Sequence, residues 1–211
     1  MDFLDKKIEA YSALHTSSES NLLNDLNRET YANVMNPRML SGHLQGRILA
    51  LISKMIRPKK IIEIGTYTGY SALCLAEGLE KNGEIHTIDI NEEYTSIANK
   101  YFNKSKYKHN IKSFVGNGID VIKDLNYNYQ LAFIDADKSN YSNYYDALID
   151  KIDKGGIIIA DNVLWSGKII KKSMDHDTLA IDNYNKKIIN DPRVETLLLP
   201  IRDGIMVSRK I

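Results

Sequence analysis

Two short apolar runs end in clusters of oxygen-bearing side chains: Phe133-Ile134-Asp135-Ala136-Asp137-Lys138 and Ile159-Ala160-Asp161-Asn162. Oxygen donors without Cys or His suit a hard cation, Mg²⁺ first with Mn²⁺ or Ca²⁺ as alternatives, over zinc. If Asp135, Asp161 and Asn162 converge, three protein ligands leave positions on an octahedral ion for substrate and water. Singly, each has a plainer reading: Asp137 as a helix N-cap before Lys138–Tyr141, Asp161 as a turn residue.

A third cluster is the glycine turn Glu63-Ile64-Gly65-Thr66-Tyr67-Thr68-Gly69-Tyr70-Ser71. Glycines after a strand let the chain turn sharply and let a ligand approach the backbone. The dinucleotide fingerprint G-x-G-x-x-G needs a second glycine at Thr66–Tyr67, and none is there. Glu63 would also repel a pyrophosphate. The turn therefore suits a nucleoside without phosphates. Asp89, at the end of Thr87-Ile88-Asp89-Ile90 and about 26 residues after Glu63, can accept hydrogen bonds from both ribose hydroxyls. Alone, the glycines could be an ordinary strand–helix turn and Asp89 a helix cap. In register in one βαβ unit they read as an adenosine site.

These clusters need a sheet to hold them. Strands are expected at Lys60–Ile64, Glu84–Ile88, Ile111–Val115, Leu131–Ile134, Gly156–Ala160, Val194–Leu199 and Gly204–Ser208. The first five have little polar alternation, as in parallel strands buried on both faces. Helical stretches lie between them at Tyr70–Glu80, Glu92–Asn103, Gly118–Leu125 and Tyr141–Ile152. This alternation predicts a doubly wound α/β sheet, with both acidic clusters on strands neighbouring the first. The turn Pro200–Asp203 makes the last two strands an antiparallel hairpin. About 55 helical residues precede the sheet, broken near Asn36-Pro37. In His43–Ile56 a stripe of Leu44, Ile48, Leu51, Ile52 and Met55 predicts the packed face. We read one domain over 1–211, with cover helices over 1–56 and a Rossmann-like core over 57–211.

Composition narrows the field. A length of 211 residues, with 43% hydrophobic and 26% charged residues, suits an ordinary α/β domain. A net charge of +1 gives no broad electrostatic case for nucleic acid. Cys74, the one cysteine, forms no internal disulfide and reads as a core residue. Met1–Ala10 does not read as a signal peptide, and no apolar run approaches the roughly 20 residues of a membrane span. A cytoplasmic protein without a membrane partner is expected. The five histidines lack ligand spacing. Trp165 either walls a flat substrate or packs its own loop.

The glycine turn, the Asp135 cluster, Asp161-Asn162-Val163-Leu164-Trp165-Ser166-Gly167 and Pro200-Ile201-Arg202-Asp203-Gly204 together resemble, in the same order, the metal-dependent O-methyltransferases of the caffeoyl-CoA and catechol type. The resemblance runs from about Asn36 to the C-terminus. It implies S-adenosylmethionine as methyl donor, a divalent cation on Asp135, Asp161 and Asn162, and Lys138 as catalytic base, with Asp135 close to the donor's methionine portion. It further implies donor contacts from Ser41, Glu63, Gly65, Thr66, Ser71, Asp89 and Gly118, the last where the family more often has alanine, and a homodimer. Animal catechol enzymes carry a glutamate before the final turn, where this chain reads Leu199-Pro200-Ile201-Arg202. Arg202 reads either as a feature favouring an anionic acceptor or as an exposed turn arginine.

The implied reaction moves a methyl group onto a hydroxyl of a small aromatic with adjacent oxygens. The cation would acidify that hydroxyl. Lys138 would take its proton or stabilise the oxyanion. Three other readings compete: methylation of a hydroxylated wobble uridine in tRNA, a non-catalytic S-adenosylmethionine sensor, and a dehydrogenase. Asp135, Lys138, Asp161 and Asn162 weigh against the sensor, and the glycine spacing against the dehydrogenase.

Overall fold

A computed structural model describes residues 5–211. The expectation for Met1–Ala10 therefore falls partly outside the described residues. The strands are β1 (Lys60–Ile64), β2 (Glu84–Asp89), β3 (Ile111–Val115), β4 (Tyr129–Ile134), β5 (Ile152–Asp161), β6 (Val194–Leu199) and β7 (Ile205–Lys210). They form one sheet in the order β3-β2-β1-β4-β5-β7-β6. β1 to β5 run parallel, and β7 pairs antiparallel with both β5 and β6. This is a Rossmann-like α/β sheet with an antiparallel C-terminal hairpin, as expected. Strand order reverses between β1 and β4, where such sheets open a crevice for ligands.

Alternation along the strands divides the core. Ile61 of β1 faces one apolar layer with Leu49, Tyr70 and Phe133, while Ile62 and Ile64 face the other with Ile134, Tyr141 and Tyr184. That is the period of two of a pleated strand. The helices are α1 (Lys6–Leu14), α2 (Asn21–Asn33), α3 (Gly42–Ile56), α4 (Tyr70–Ala76), α5 (Glu92–Lys104), α6 (Gly118–Asp124), α7 (Tyr141–Ile149) and α8 (His176–Ile189). None of the described helices is long and apolar enough to cross a membrane.

Several expectations need correcting. β3 is a sheet edge and is only partly buried, unlike the four strands beside it. The Asp161 strand, β5, pairs with β4 and β7 and does not neighbour β1. It also begins four residues early, at Ile152, so α7 stops at Ile149. α8 was not among the expected helices; its buried contacts are Thr178, Ile181, Tyr184 and Ile188, two of them with hydroxyls.

The packed face of α3 is also rotated from the expected stripe. Gln45, Gly46, Leu49, Ala50 and Ser53 are buried, whereas Leu51 is 60% and Met55 70% exposed. Small residues decide this. A Cβ on Gly46 would lie 2.6 Å from Tyr70 Cε1 and 2.8 Å from Cys74 Sγ, and one on Gly78 would lie 2.1 Å from the Ser53 carbonyl carbon. α3 and α4 therefore approach more closely than a stripe of large side chains allows. α4 ends at Ala76, short of the expected Glu80.

Candidate active site

The carboxyl ends of β1, β2, β3, β4 and β5 open onto one cavity of about 1160 Å³. That exceeds the roughly 300–1,000 Å³ of a drug-sized pocket, leaving room for a donor and an acceptor together. Its wall includes Ser41, Gly65, Thr66, Ser71, Asp89, Gly118, Asp135, Lys138, Asp161 and Asn162. Glu63 is the one expected site residue missing from that wall.

At the end of β1, Gly65 adopts φ +102° and Gly69 φ +90°, a region open chiefly to glycine. Gly65 also lies so close to the β4 loop that a Cβ would meet the Asp135 carbonyl oxygen at 1.9 Å. At the end of β2, Asp89 accepts from the backbone N–H of Tyr67 at 2.7 Å and of Asn91 at 2.8 Å. One acceptor position per oxygen stays free for a ligand hydroxyl. At the end of β3, Asn117 caps α6 by accepting from Ile119 N at 3.0 Å, which holds Gly118 at the wall.

Glu63 sits behind this turn, fully buried, beside its register partner Thr87. Thr87 donates to Glu63 Oε2, so Thr66 donates to Thr87 across 2.5 Å. Glu63 Oε1 makes no well-formed hydrogen bond, though the Ser71 hydroxyl lies close to the carboxyl. Burial pushes this carboxyl up to about 8, the charges of Asp135 and Asp89 adding to the effect and the Ser71 and Thr87 hydroxyls opposing it. The expected direct donor contact is therefore not what the geometry presents. Glu63 is a buried acid beneath the floor.

At the other end, Lys138 begins a 3₁₀ turn, Lys138–Asn140, leading into α7. Its Nζ donates to Asp135 Oδ1 at 3.1 Å, Asn162 Oδ1 at 2.7 Å and the Tyr141 hydroxyl at 2.7 Å. Asp161 is buried; its Oδ1 accepts from Asn162 N at 2.8 Å and its Oδ2 from Gln45 Nε2 at 2.7 Å. Burial and the charge of Asp135 push the Asp161 carboxyl above the usual carboxylate range. Asp135 and Asn162 thus meet at the Lys138 ammonium, with the Asp161 carboxyl next to Asn162 and within reach of the Asp135 charge. Two carboxylates and an amide oxygen, with no His or Cys, form a hard donor set. A cation already bridging two of these groups shows that the set attracts positive charge. By that criterion a divalent ion suits these residues. Asn162 itself takes φ 58°, an uncommon conformation that aims its side chain from the strand end.

Asp137 is not a side-chain cap. It accepts instead from Ser139, Asn140 and Tyr144 hydrogens. Trp165 lines the cavity, with Lys138 Nζ 5.6 Å from its ring. Its loop is pinned to the hairpin turn, where Asp203 O accepts from Leu164 N at 2.9 Å and the Asp203 carboxylate from Ser166 N. Arg202 is not a free turn arginine: its guanidinium donates to Ser41 O and to Gln45 Oε1. None of the five histidines lines the cavity. Cys74 is buried and its thiol pushed up to about 12 by burial, a core residue as expected.

Sequence reasoning missed Gln45 and Tyr141. Both are fully buried polar groups in contact with expected site residues. Gln45 carried a signal, since an amide beside an apolar stripe calls for a buried partner.

The chain is similar to known proteins over most of its length. The O-methyltransferase family model matches residues 13–211. The caffeoyl-CoA O-methyltransferase of Stellaria longipes is 32% identical over 205 residues, covering 92% of this chain and 85% of that one. That of Mesembryanthemum crystallinum is 37% identical over 180 residues, covering 79% of this chain and 71% of that one. The SAH-bound methyltransferase PaMTH1 of Podospora anserina superposes with a TM-score of 0.90 at 28% identity, covering 98% of this chain and 94% of that one. An O-methyltransferase from Bacillus cereus, in complex with SAH, gives 0.89 at 25% identity, with 97% of each chain covered. The chain belongs to the O-methyltransferase family, as an S-adenosylmethionine-dependent enzyme of the caffeoyl-CoA O-methyltransferase type.

Proposed function

We propose that this enzyme methylates a hydroxyl of a small aromatic with two adjacent oxygens and needs a divalent cation, Mg²⁺ by donor chemistry, to do so. The observation that carries this reading is that Asp135, Asp161 and Asn162 line the cavity that also holds Asp89 and the glycine turn, with Lys138 bridging Asp135 and Asn162. When bound, S-adenosylmethionine supplies a methyl group on a sulfonium, and the cation supplies a Lewis acid that acidifies a hydroxyl. Asp135, Asp161 and Asn162 would hold the cation. Three protein ligands leave positions that suit an acceptor offering adjacent oxygens. Asp89 would bind the ribose hydroxyls with its free acceptor positions, while Ser41, Gly65, Thr66, Ser71 and Gly118 shape the rest of the donor end.

Lys138 has a defined polarity. Tyr141 donates its own hydrogen to Asp161 O at 3.0 Å, so its oxygen can only accept from Lys138. With Asp135 and Asn162, this uses three ammonium hydrogens. The ammonium charge held there suits stabilisation of negative charge growing on the acceptor oxygen, and the base role implied by resemblance needs one of these three contacts to open. Trp165 supplies a flat wall beside it.

The test is a methyl-transfer assay on vicinal-diol aromatics and on hydroxyuridine-containing tRNA, with Mg²⁺ and with chelator. Chelator-sensitive transfer to a small diol, abolished in Asp161→Ala, is expected. Transfer to tRNA alone would make RNA the acceptor at the same site. Metal-independent transfer would overturn the cation's role, and donor binding with no transfer to any hydroxyl would favour a sensor. Working as one domain, as a homodimer and in the cytoplasm belongs to the same proposal. Sedimentation and cell fractionation test the last two.

A further inference from the structure

Arg202 adopts φ 52°, a left-handed conformation that disfavours any residue with a Cβ. Its side chain makes contacts that only this placement offers. Nη1 donates to Ser41 O and, at 2.6 Å, to Gln45 Oε1, while Nη2 approaches Leu40 O at 3.4 Å. Gln45 is fully buried on α3 and passes the contact on, its Nε2 donating to Asp161 Oδ2 at 2.7 Å. The three residues come from the turn between β6 and β7, the cover helix and the end of β5.

A glutamine side chain has two ends of similar shape and opposite polarity, and its neighbours decide which way it points. A guanidinium has only donors. Oε1 must therefore face Arg202, and Nε2 must face Asp161. With Asn162 N on the other oxygen at 2.8 Å, each Asp161 oxygen receives one fixed donor and keeps a lone pair directed elsewhere. Without Arg202 the buried Oε1 loses its guanidinium donor, and the Gln45 side chain is no longer held in place against Asp161, so the carboxylate loses its fixed orientation.

We propose that Arg202 acts through Gln45 as a latch that positions the Asp161 carboxylate to bind a divalent cation; this rests on the metal reading above. Arg202 and Gln45 are positioning residues, and the latch joins the N-terminal cover and the C-terminal hairpin to the cation site.

Mn²⁺ titration of the full-length chain, following free Mn²⁺ by electron paramagnetic resonance, tests the latch. Arg202→Met is expected to weaken Mn²⁺ binding about tenfold, the scale of one lost charge-assisted contact. Gln45→Met should weaken it similarly. The double variant should be no weaker than the weaker single one, because both break one chain of contacts. Arg202→Lys, which can still donate to Oε1, should recover part of the loss. Melting temperatures measured alongside show whether each variant is folded, and Arg202→Lys keeps the test open if Arg202→Met is not. Wild-type binding with Arg202→Met unchanged within about twofold would overturn the latch alone, as would additive losses in the double variant. Failure of the wild type to bind Mn²⁺ would overturn the metal reading and the latch with it.

Discussion

Replacing Glu63 with Gln should make the protein more stable at neutral and alkaline pH. The substitution keeps the shape of a fully buried side chain and removes its charge. In the fold this carboxyl is raised from 4.5 to about 8, chiefly by burial. A group raised on folding contributes stability that is fully present below the unfolded value and lost as pH climbs through the folded one. Linkage over that interval gives a loss of about 1 kcal/mol by pH 5, about 3 by pH 7 and nearly 5 by pH 9. Urea denaturation of wild type and Glu63→Gln from pH 5 to pH 9, without ligands, should show curves that diverge by roughly 3–4 kcal/mol as pH rises. Parallel curves would refute the assignment of a neutral buried acid. S-adenosylmethionine titration gives a second reading. An affinity within about threefold of wild type fits a residue behind the wall, whereas a loss beyond tenfold, about 1.4 kcal/mol, would put Glu63 in contact with the donor.

Tyr141→Phe removes the hydrogen bond to Asp161 O and the acceptor beside Lys138; it should cost about 1–3 kcal/mol of stability and lower kcat at least tenfold with little change in the donor's KM, and an unchanged kcat would show that Lys138 needs no such anchor. Gly65→Ala should cost roughly 1–3 kcal/mol for its backbone alone and abolish donor binding, because its Cβ would overlap the Asp135 carbonyl; normal donor binding by calorimetry would contradict that close approach. Gly46→Ala should lower stability by about 1–3 kcal/mol through overpacking against Tyr70 and Cys74, visible as a reduced melting temperature.

Much of this architecture was legible because apolar runs and glycine turns report directly on strands and their ends. β1, β3 and β6 have the boundaries their residues predict, and the acidic clusters stand at the ends of β4 and β5. What stayed hidden depends on tertiary choice. One apolar layer sets Tyr129, Tyr141, Tyr144, Tyr145 and Tyr184 among its isoleucines, and tyrosine hydroxyls blur a hydropathy pattern, so α8, with Tyr184 and Thr178 on its buried face, gave a weak signal. The rotation of α3 follows from small residues meeting α4, which no single-helix stripe encodes. The exposed flank of β3 follows from strand order, and order is not written in any one strand. The same holds for the site. Residue type showed which oxygens could hold a cation, but Gln45 and Tyr141 serve through partners 116 and 20 residues away. The resemblance implied a donor contact for Glu63, yet strand alternation turns its side chain beneath the cavity floor.

The last strand in order, β7, is an interior strand, filling the gap between β5 and β6. A chain made from its N-terminus can pair β1 to β5 early, but β5 keeps an open edge until residues 205–210 arrive. That edge runs Ile157-Ile158-Ile159-Ala160, an apolar row with unpaired backbone groups and thus a template for unwanted pairing. The same insertion puts Ile205 beside Asp161 and brings in the turn bearing Arg202. The oxygen cluster is therefore complete only once the C-terminal hairpin is in place.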